Sequence, residues 1–455
     1  MVVGRRAVAL VAGVVLSAVV AGCTGGTVEP RDGTTSVSPS VTPSSSPDPV
    51  QLSFAVYGPE VSIKAYQELA DAFTAKYPHV TVDVSSSPSA ELAMAQVRAR
   101  TAGGAAPDVF LADHDHLPEL VEEKMIQPVN SLLEARQVDF GDGYQRSGLT
   151  AFSADAALQC MPHDVSPLVV YYNKDLVDLD ALVEEGEEPP SALDGWDWET
   201  FARAAQQAAV GPANGLYMEP SLGSIAPFVW SAGGDIVDDN DAPTTLTLAE
   251  GDARSALEQV LTLVRDPQVT PSRALLARRD ALTLFERGRL GMILGTRELT
   301  PQLRDVEDLR FDVMPLPSMG RFRTISDMTG YCIAADTDEV EAAADFLAYA
   351  VSREGAAITT RSGYVVPSNL EVANSAAFLQ PALEPESAFI FNEGVRRAQN
   401  MPYHRDWSTV SRTVQPLLSR LFHAPVIDLD VQLEQLDTAS QQVLAPGDEG
   451  TAAGQ

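Results

Sequence analysis

The chain is 455 residues long and carries 63 acidic against 31 basic side chains, a formal net charge of −32 at pH 7. So acidic a surface repels phosphate backbones and anionic head groups, which excludes nucleic acid as a partner class. With 45% apolar and 21% charged residues the composition is that of a globular protein, and the roughly four hundred residues after Val50 suffice for two lobes with separate cores.

At the N-terminus, Arg5 and Arg6 precede an apolar run from Ala7 to Val19. The run is too short to span a bilayer and marks residues 1–22 as a cleaved secretory signal. Val20-Ala21-Gly22-Cys23 resembles the bacterial lipobox, in which the cysteine takes a diacylglyceryl group and becomes the new N-terminus. An ordinary secretory signal with an incidental Cys23 is the competing reading. Two or three acyl chains, at about 0.8 kcal/mol per buried methylene, hold a protein firmly. The mature protein is therefore expected on the outer face of the cytoplasmic membrane, extracellular or periplasmic, with lipid as its only membrane contact. Residues 23–49, nearly all Ser, Thr, Pro, Gly and Asp after the cysteine, bury too little apolar surface to fold and form a linker; 447–455 form a disordered tail.

Leu52–Tyr57 reads as a strand ended by Gly58-Pro59, and Ile63, Tyr66, Ala70, Phe73 and Tyr77 recur at helical spacing up to Pro78. Val80, Val82 and Val84 alternate with polar residues as in a half-buried strand. A helix over Ala90–Thr101, a strand at Val109–Leu111 and a helix over Leu117–Glu123 complete a β-α-β-α-β pattern, which predicts a parallel sheet covered by helices. Further on, Leu168–Tyr172 is a strand and Asp197 caps a helix reaching Ala209. Helices fit 252–264, 280–287, 340–351 and most of 409–443, and strands fit 290–294, 311–316 and 331–334. After lipidation two cysteines remain, Cys160 and Cys332, and their spacing matches no zinc site. In an oxidising exterior they are either bridged or free. A bridge would close a loop of about 170 residues, worth roughly 5 kcal/mol in the chain-entropy model.

Five segments in order are similar to the family 1 extracellular solute-binding proteins, the maltose-binding-like receptors of ABC importers. They are Ala72-Phe73-Thr74-Ala75-Lys76-Tyr77-Pro78, Gly104-Ala105-Ala106-Pro107-Asp108-Val109, the run from Pro162 to Tyr171-Tyr172-Asn173-Lys174-Asp175-Leu176, Gly195-Trp196-Asp197-Trp198-Glu199-Thr200-Phe201, and Phe285-Glu286-Arg287-Gly288-Arg289-Leu290-Gly291-Met292. The resemblance implies an α/β, two-lobed periplasmic-binding-protein-like fold with parallel-type sheets and a hinge. One lobe would be 50–161 plus 332–366 and the other 162–331 plus 367–446, with Cys160 and Cys332 on strands crossing the hinge. It also implies a monomeric receptor that captures a carbohydrate and delivers it to ABC permease subunits, with no cofactor and no catalysis.

Ligands of open parallel sheets sit beyond the carboxyl ends of strands, which makes Tyr57, Asp113 and Asp164 candidates for ligand contact. Carboxylates accept hydroxyl hydrogen bonds and aromatic rings cover the CH face of a sugar. Trp230 matches a family segment that often places an aromatic in the cleft, and core packing is its alternative; Tyr364 and Trp407 are weaker candidates of the same kind. The chain departs from the family at Thr296-Arg297-Glu298 and at Asp327-Met328-Thr329-Gly330, which adds Arg297 and Asp327. Arg297 either pairs with an acidic ligand or stands exposed at a helix start. Asp113-His114-Asp115-His116 alternates possible metal ligands, but no further His or Cys cluster completes a site, and no metal is expected. The rivals to a sugar receptor are a surface-anchored carbohydrate-active enzyme and a receptor for an anionic, non-sugar solute. Gly-x-Ser-x-Gly and His-Glu-x-x-His are absent, but a pair of glycosidase carboxylates is not excluded by sequence.

Overall fold

The computed structural model describes residues 48–184 and 186–445. The signal sequence, the lipidation at Cys23, nearly all of the linker and the C-terminal tail lie outside the described residues. Among the described residues no helix is long and apolar enough to cross a membrane.

Two main sheets are built from β1 (Val50–Tyr57), β2 (Val80–Ser87), β3 (Val109–Asp113), β4 (Ile126–Gln127), β5 (Met161–Pro167), β6 (Val169–Asn173), β7 (Asn214–Tyr217), β8 (Leu290–Gly295), β9 (Phe311–Met314) and β10 (Ser326–Ala334). The alternation Leu52, Phe54, Val56 turns one face of β1 into the core. β1 lies between β2 and β3 and is parallel to both, with Leu52 opposite Val82 and Phe54 opposite Val109. Helices Glu60–Lys76 and Ala90–Ala102 make the crossovers. The first buries Tyr66, Leu69, Ala70 and Phe73, each large side chain contributing about 2 kcal/mol of transfer free energy. It ends before Pro78, which has no N–H to continue the ladder.

Neither sheet is wholly parallel, which corrects the expectation from the β-α-β-α-β pattern. β10 joins β3 antiparallel, with Tyr331 opposite Leu111, and its other edge pairs antiparallel with β4 and β5. The second sheet runs β9-β6-β8-β7, and only the β8–β7 pair is parallel. Hydrophobic alternation identifies a strand but is blind to its direction, which depends on how the chain returns. β10 also begins five residues before the expected Tyr331. Its early half, Ser326–Thr329, has mixed burial and gives no core signal.

One core gathers Phe54, Phe73, Phe110, Tyr331 and Phe346 around the first sheet. The other gathers Phe201, Phe228, Leu257, Trp407 and Leu418 around the second. Asp197 caps its helix as expected, accepting the Thr200 N–H at 2.8 Å. Helix Leu222–Ala232 was not legible in the sequence because almost every residue is apolar or small and buried, leaving no amphipathic period. The C-terminal region forms two helices, Trp407–His423 and Leu429–Leu444, separated at Pro425. Cys160 and Cys332 are bonded, with Cα atoms 4.5 Å apart and a separation of 172 positions in sequence, directly beside the Met161–Tyr331 pair.

Candidate functional site

The carboxyl ends of β1 and β3 open onto a cavity of about 500 Å³, a volume suited to a small organic ligand. From the first sheet's side it is lined by Tyr57 and Gly58 at the end of β1, Glu91 in the first turn of helix 90–102, and Asp113 to Asp115 at the end of β3. Further lining comes from Glu298, Asn400, Met401 and Trp407, and from Tyr364, whose hydroxyl stands beside Gly58. The early half of β10, Ser326 to Thr329, also lines it. Gly58 makes the turn out of β1 at φ +124°, a conformation that other residues rarely adopt, and a Cβ there would lie 2.6 Å from Ser62 Oγ. A break in register at Thr329/Gly330 interrupts the β10–β5 ladder, which is paired on both sides of it, just where the cavity-lining half of β10 ends.

Five carboxylates line this space, Glu91, Asp113, Asp115, Glu298 and Asp327, and among the described residues the lining contains neither lysine nor arginine. Burial, followed by the charges of Glu298, Asp115, Asp113 and Glu219, pushes Asp327 up to about 7. Its side chain is nonetheless open to cavity water, which tempers the burial contribution. Burial also raises Glu298, and a hydrogen bond from Tyr364 opposes that rise. Tyr364 is itself raised, by burial and then by the Glu298 charge. Hydrogen bonds from its own backbone N–H and from Ser89 hold Glu91 below the usual carboxylate range. Asp113 caps the short turn His114–His116, accepting the His116 N–H at 3.1 Å and facing His116 Nδ1 at 2.5 Å. Burial works against a charged His116 ring, but the hydrogen bond and charge of Asp113 prevail and raise it. Two hydroxyls of the lining, Tyr57 Oη and Ser326 Oγ, are buried without a partner. Trp407, only 2% exposed, contributes an aromatic wall.

The structure therefore brings together Tyr57, Asp113, Asp327 and Tyr364 of the residues expected at the ligand. Three others lie elsewhere. Trp230 is 3% exposed in the second core, its indole N–H donating to Asp235 Oδ1 at 3.3 Å, so packing decides between its two readings. Asp164 is 3% exposed and is absent from the lining. Its Oδ1 accepts from Ser166 Oγ at 2.7 Å and from the Val366 N–H at 2.6 Å, tying β5 to the segment after helix Arg353–Thr360. Burial, partly offset by those bonds, raises its pKa.

Arg297 is neither in the cavity nor exposed. It is fully buried, its guanidinium 4.8 and 5.0 Å from the ring centroids of Phe378 and Phe391, donating to the carbonyls of Gly363 and Phe378. Burial lowers it to about 10. Sequence reasoning missed Glu91, Asp115 and Glu298. The last was in view at Thr296-Arg297-Glu298, but in a 3₁₀ turn adjacent side chains diverge by about 120°, so Arg297 and Glu298 reach different surroundings. Among the described residues no three His, Cys, Asp or Glu side chains are grouped to hold a metal ion.

The sequence profile of the bacterial extracellular solute-binding proteins matches residues 68–385. A curated binding protein of Brucella abortus (strain 2308) is 23% identical over 259 residues, 56% of this chain and 59% of that protein. The chain thus spans about three fifths of the length of the curated relatives it matches. Three solved structures share the fold. An ABC substrate-binding protein from Listeria monocytogenes in complex with cycloalternan has a TM-score of 0.75 at 21% identity, covering 87% of this chain and 99% of that one. The GacH receptor of Streptomyces glaucescens, solved unliganded and with acarbose, gives 0.71 at 18% identity, with coverages of 87% and 98%. Maltose-bound MalE3 of T. maritima gives 0.72 at 15% identity, with coverages of 87% and 100%. The shared architecture is two-lobed and mixed α/β, with helices flanking both sheets.

Proposed function

The chain belongs to the bacterial extracellular solute-binding proteins, and on that footing we propose that it captures a carbohydrate between its lobes and delivers it unchanged to an ABC permease. The observation that carries this reading is the cavity itself, with carboxylates, two unpartnered hydroxyls and an aromatic wall around about 500 Å³. Carboxylates accept hydrogen bonds from sugar hydroxyls, Tyr57 and Ser326 pair with others, and Trp407 or Tyr364 covers a ring face. Structural neighbours crystallised with cycloalternan, acarbose and maltose support the same ligand class.

The lobes are 50–161 plus 332–366 and 162–331 plus 367–446, and closure is a hinge motion in which the ligand favours the closed form. The protein works as a monomer tethered through lipidated Cys23. An anionic solute is disfavoured, because the one arginine considered for it is sealed in aromatic packing and the lining is acidic. Micromolar affinity corresponds to about −8 kcal/mol, within reach of one stacked ring and several charge-assisted hydrogen bonds.

The test is thermal unfolding with a panel of mono- and oligosaccharides, with chromatography of the same mixtures for products. A ligand at a hundred times Kd adds about 2.7 kcal/mol of stability. Stabilisation without product is expected. Product formation would replace the receptor with a glycoside-cleaving enzyme, and a panel without any stabilising saccharide would remove the carbohydrate reading.

A further inference from the structure

We propose that the solute is a cationic saccharide, one whose rings carry ammonium groups in place of some hydroxyls. The inference rests on the carbohydrate reading above and specifies its charge. Five carboxylates face one cavity, and among the described residues no lysine or arginine lines it. Elsewhere several carboxylates meet an arginine: Arg136 bridges Glu341 and Asp345, Arg254 bridges Glu258 and Asp430, and Arg98 holds Glu119 at 2.8 Å. In the cavity Asp113 faces His116 Nδ1 at 2.5 Å and Asp115 has His114 Nδ1 at 3.8 Å, but Glu91, Glu298 and Asp327 have no ion-pair partner among the described residues, and gathering them works against folding through mutual repulsion and lost hydration. A neutral sugar would leave that repulsion in place. An ammonium group relieves it and forms charge-assisted hydrogen bonds stronger than those of a hydroxyl.

A second, independent feature separates a saccharide from a bare cation. Tyr57 Oη and Ser326 Oγ are buried in the cavity wall without partners, and Trp407 lines the wall while almost wholly buried. Hydroxyl partners and a flat apolar surface suit a polyhydroxylated ring, not a metal ion. The carboxylates are also spread along the cavity, since among the described residues no three acidic or histidine groups are arranged to hold one ion. The upward push on Asp327 and Glu298 agrees with a site awaiting positive charge.

The experiment is calorimetric titration of the purified protein at pH 6.5, where the amino sugar is mostly protonated, with the β-1,4-linked trimers of glucosamine and of N-acetylglucosamine, with maltotriose and with spermidine, each at 50 and 500 mM NaCl. The glucosamine trimer is expected to bind at least ten-fold tighter than its acetylated counterpart, with the gap shrinking at high salt. Asp327→Asn and Glu298→Gln should each narrow the gap several-fold, with melting temperatures equal to or above that of the parent. Equal or tighter binding of either neutral trimer, unaffected by Asp327→Asn, would overturn the charge assignment and leave the carbohydrate function standing. Spermidine binding with no saccharide binding would overturn the saccharide and the proposed function together. Absence of any binding across the panel would also count against the proposal.

Discussion

Arg297 and Glu298 are neighbours in one short turn, yet they represent two opposite treatments of charge. The arginine enters a cage of two phenylalanine rings and two backbone carbonyls, with only Nη1 left unpartnered. The glutamate faces the cavity, where its nearest charged company is of its own sign. A charge satisfied by protein atoms holds the fold, because removing it strands the groups that were built to receive it. A charge left facing solvent among like charges adds nothing to the fold and is available to a ligand. By this criterion Asp164 and the Cys160–Cys332 bond belong with Arg297, and Asp327 belongs with Glu298.

Four variants test that division, and the largest effect is expected at the disulfide. Replacing both Cys160 and Cys332 by serine releases a 172-residue separation in sequence and should lower stability by about 5 kcal/mol in the chain-entropy model, read by urea unfolding under oxidising conditions. Ligand affinity, measured well below the transition, should not move. Next, Arg297→Met should lower stability by about 3 kcal/mol, again without altering ligand affinity. Full stability combined with weakened binding in the Arg297→Met variant would break the comparison at its centre.

Asp164→Ala strands the Val366 N–H and the Ser166 hydroxyl, at a cost of about 2 kcal/mol. Its melting temperature should fall, whereas a neutral thermal effect with lost affinity would move Asp164 to the ligand side. The smallest effect is expected at Asp327→Asn, which should raise the melting temperature of the unliganded protein slightly by removing one of the crowded carboxylates. The pH dependence sharpens this last test. Asp327 is raised to about 7 in the folded chain, so between about pH 4 and 7 the folded state binds more protons than the unfolded one. Stability of the unliganded protein therefore increases as pH falls through that window. Asp327→Asn should remove part of the increase in melting temperature between pH 7.5 and 5. For an ammonium-bearing ligand the trend reverses, because protonating Asp327 removes a charge that the ligand uses.

Much of the first sheet was legible. β1, β2 and β3 and their two crossover helices follow from period-2 and period-3.6 patterns with proline and glycine stops. The ends of two of these strands led directly to Tyr57 and Asp113 at the cavity. The rest of the cavity was harder to read. Glu298, Tyr364 and Trp407 come from three distant stretches, and each sits in a local pattern equally compatible with packing. Trp230 and Trp407 are both nearly buried tryptophans on helices, and only the position of each helix decides which one borders the cavity. Arg297 was misplaced because a lone arginine in a sequence suggests solvent or an anionic partner, and nothing local announces Phe378 and Phe391 from eighty and more residues away.

The chain's own order of residues determined its strands and helices along β1 to β3, its helix caps, its acidity and its membership in a two-lobed receptor family, since these are local or compositional properties. Tertiary structure alone decided the direction of β10, the union of Cys160 with Cys332, and the sorting of charged side chains into those sealed in packing and those facing the cavity. The reason is physical: hydrophobic periodicity is written in neighbours along the chain, whereas the surroundings of a charge are set by segments that meet only on folding.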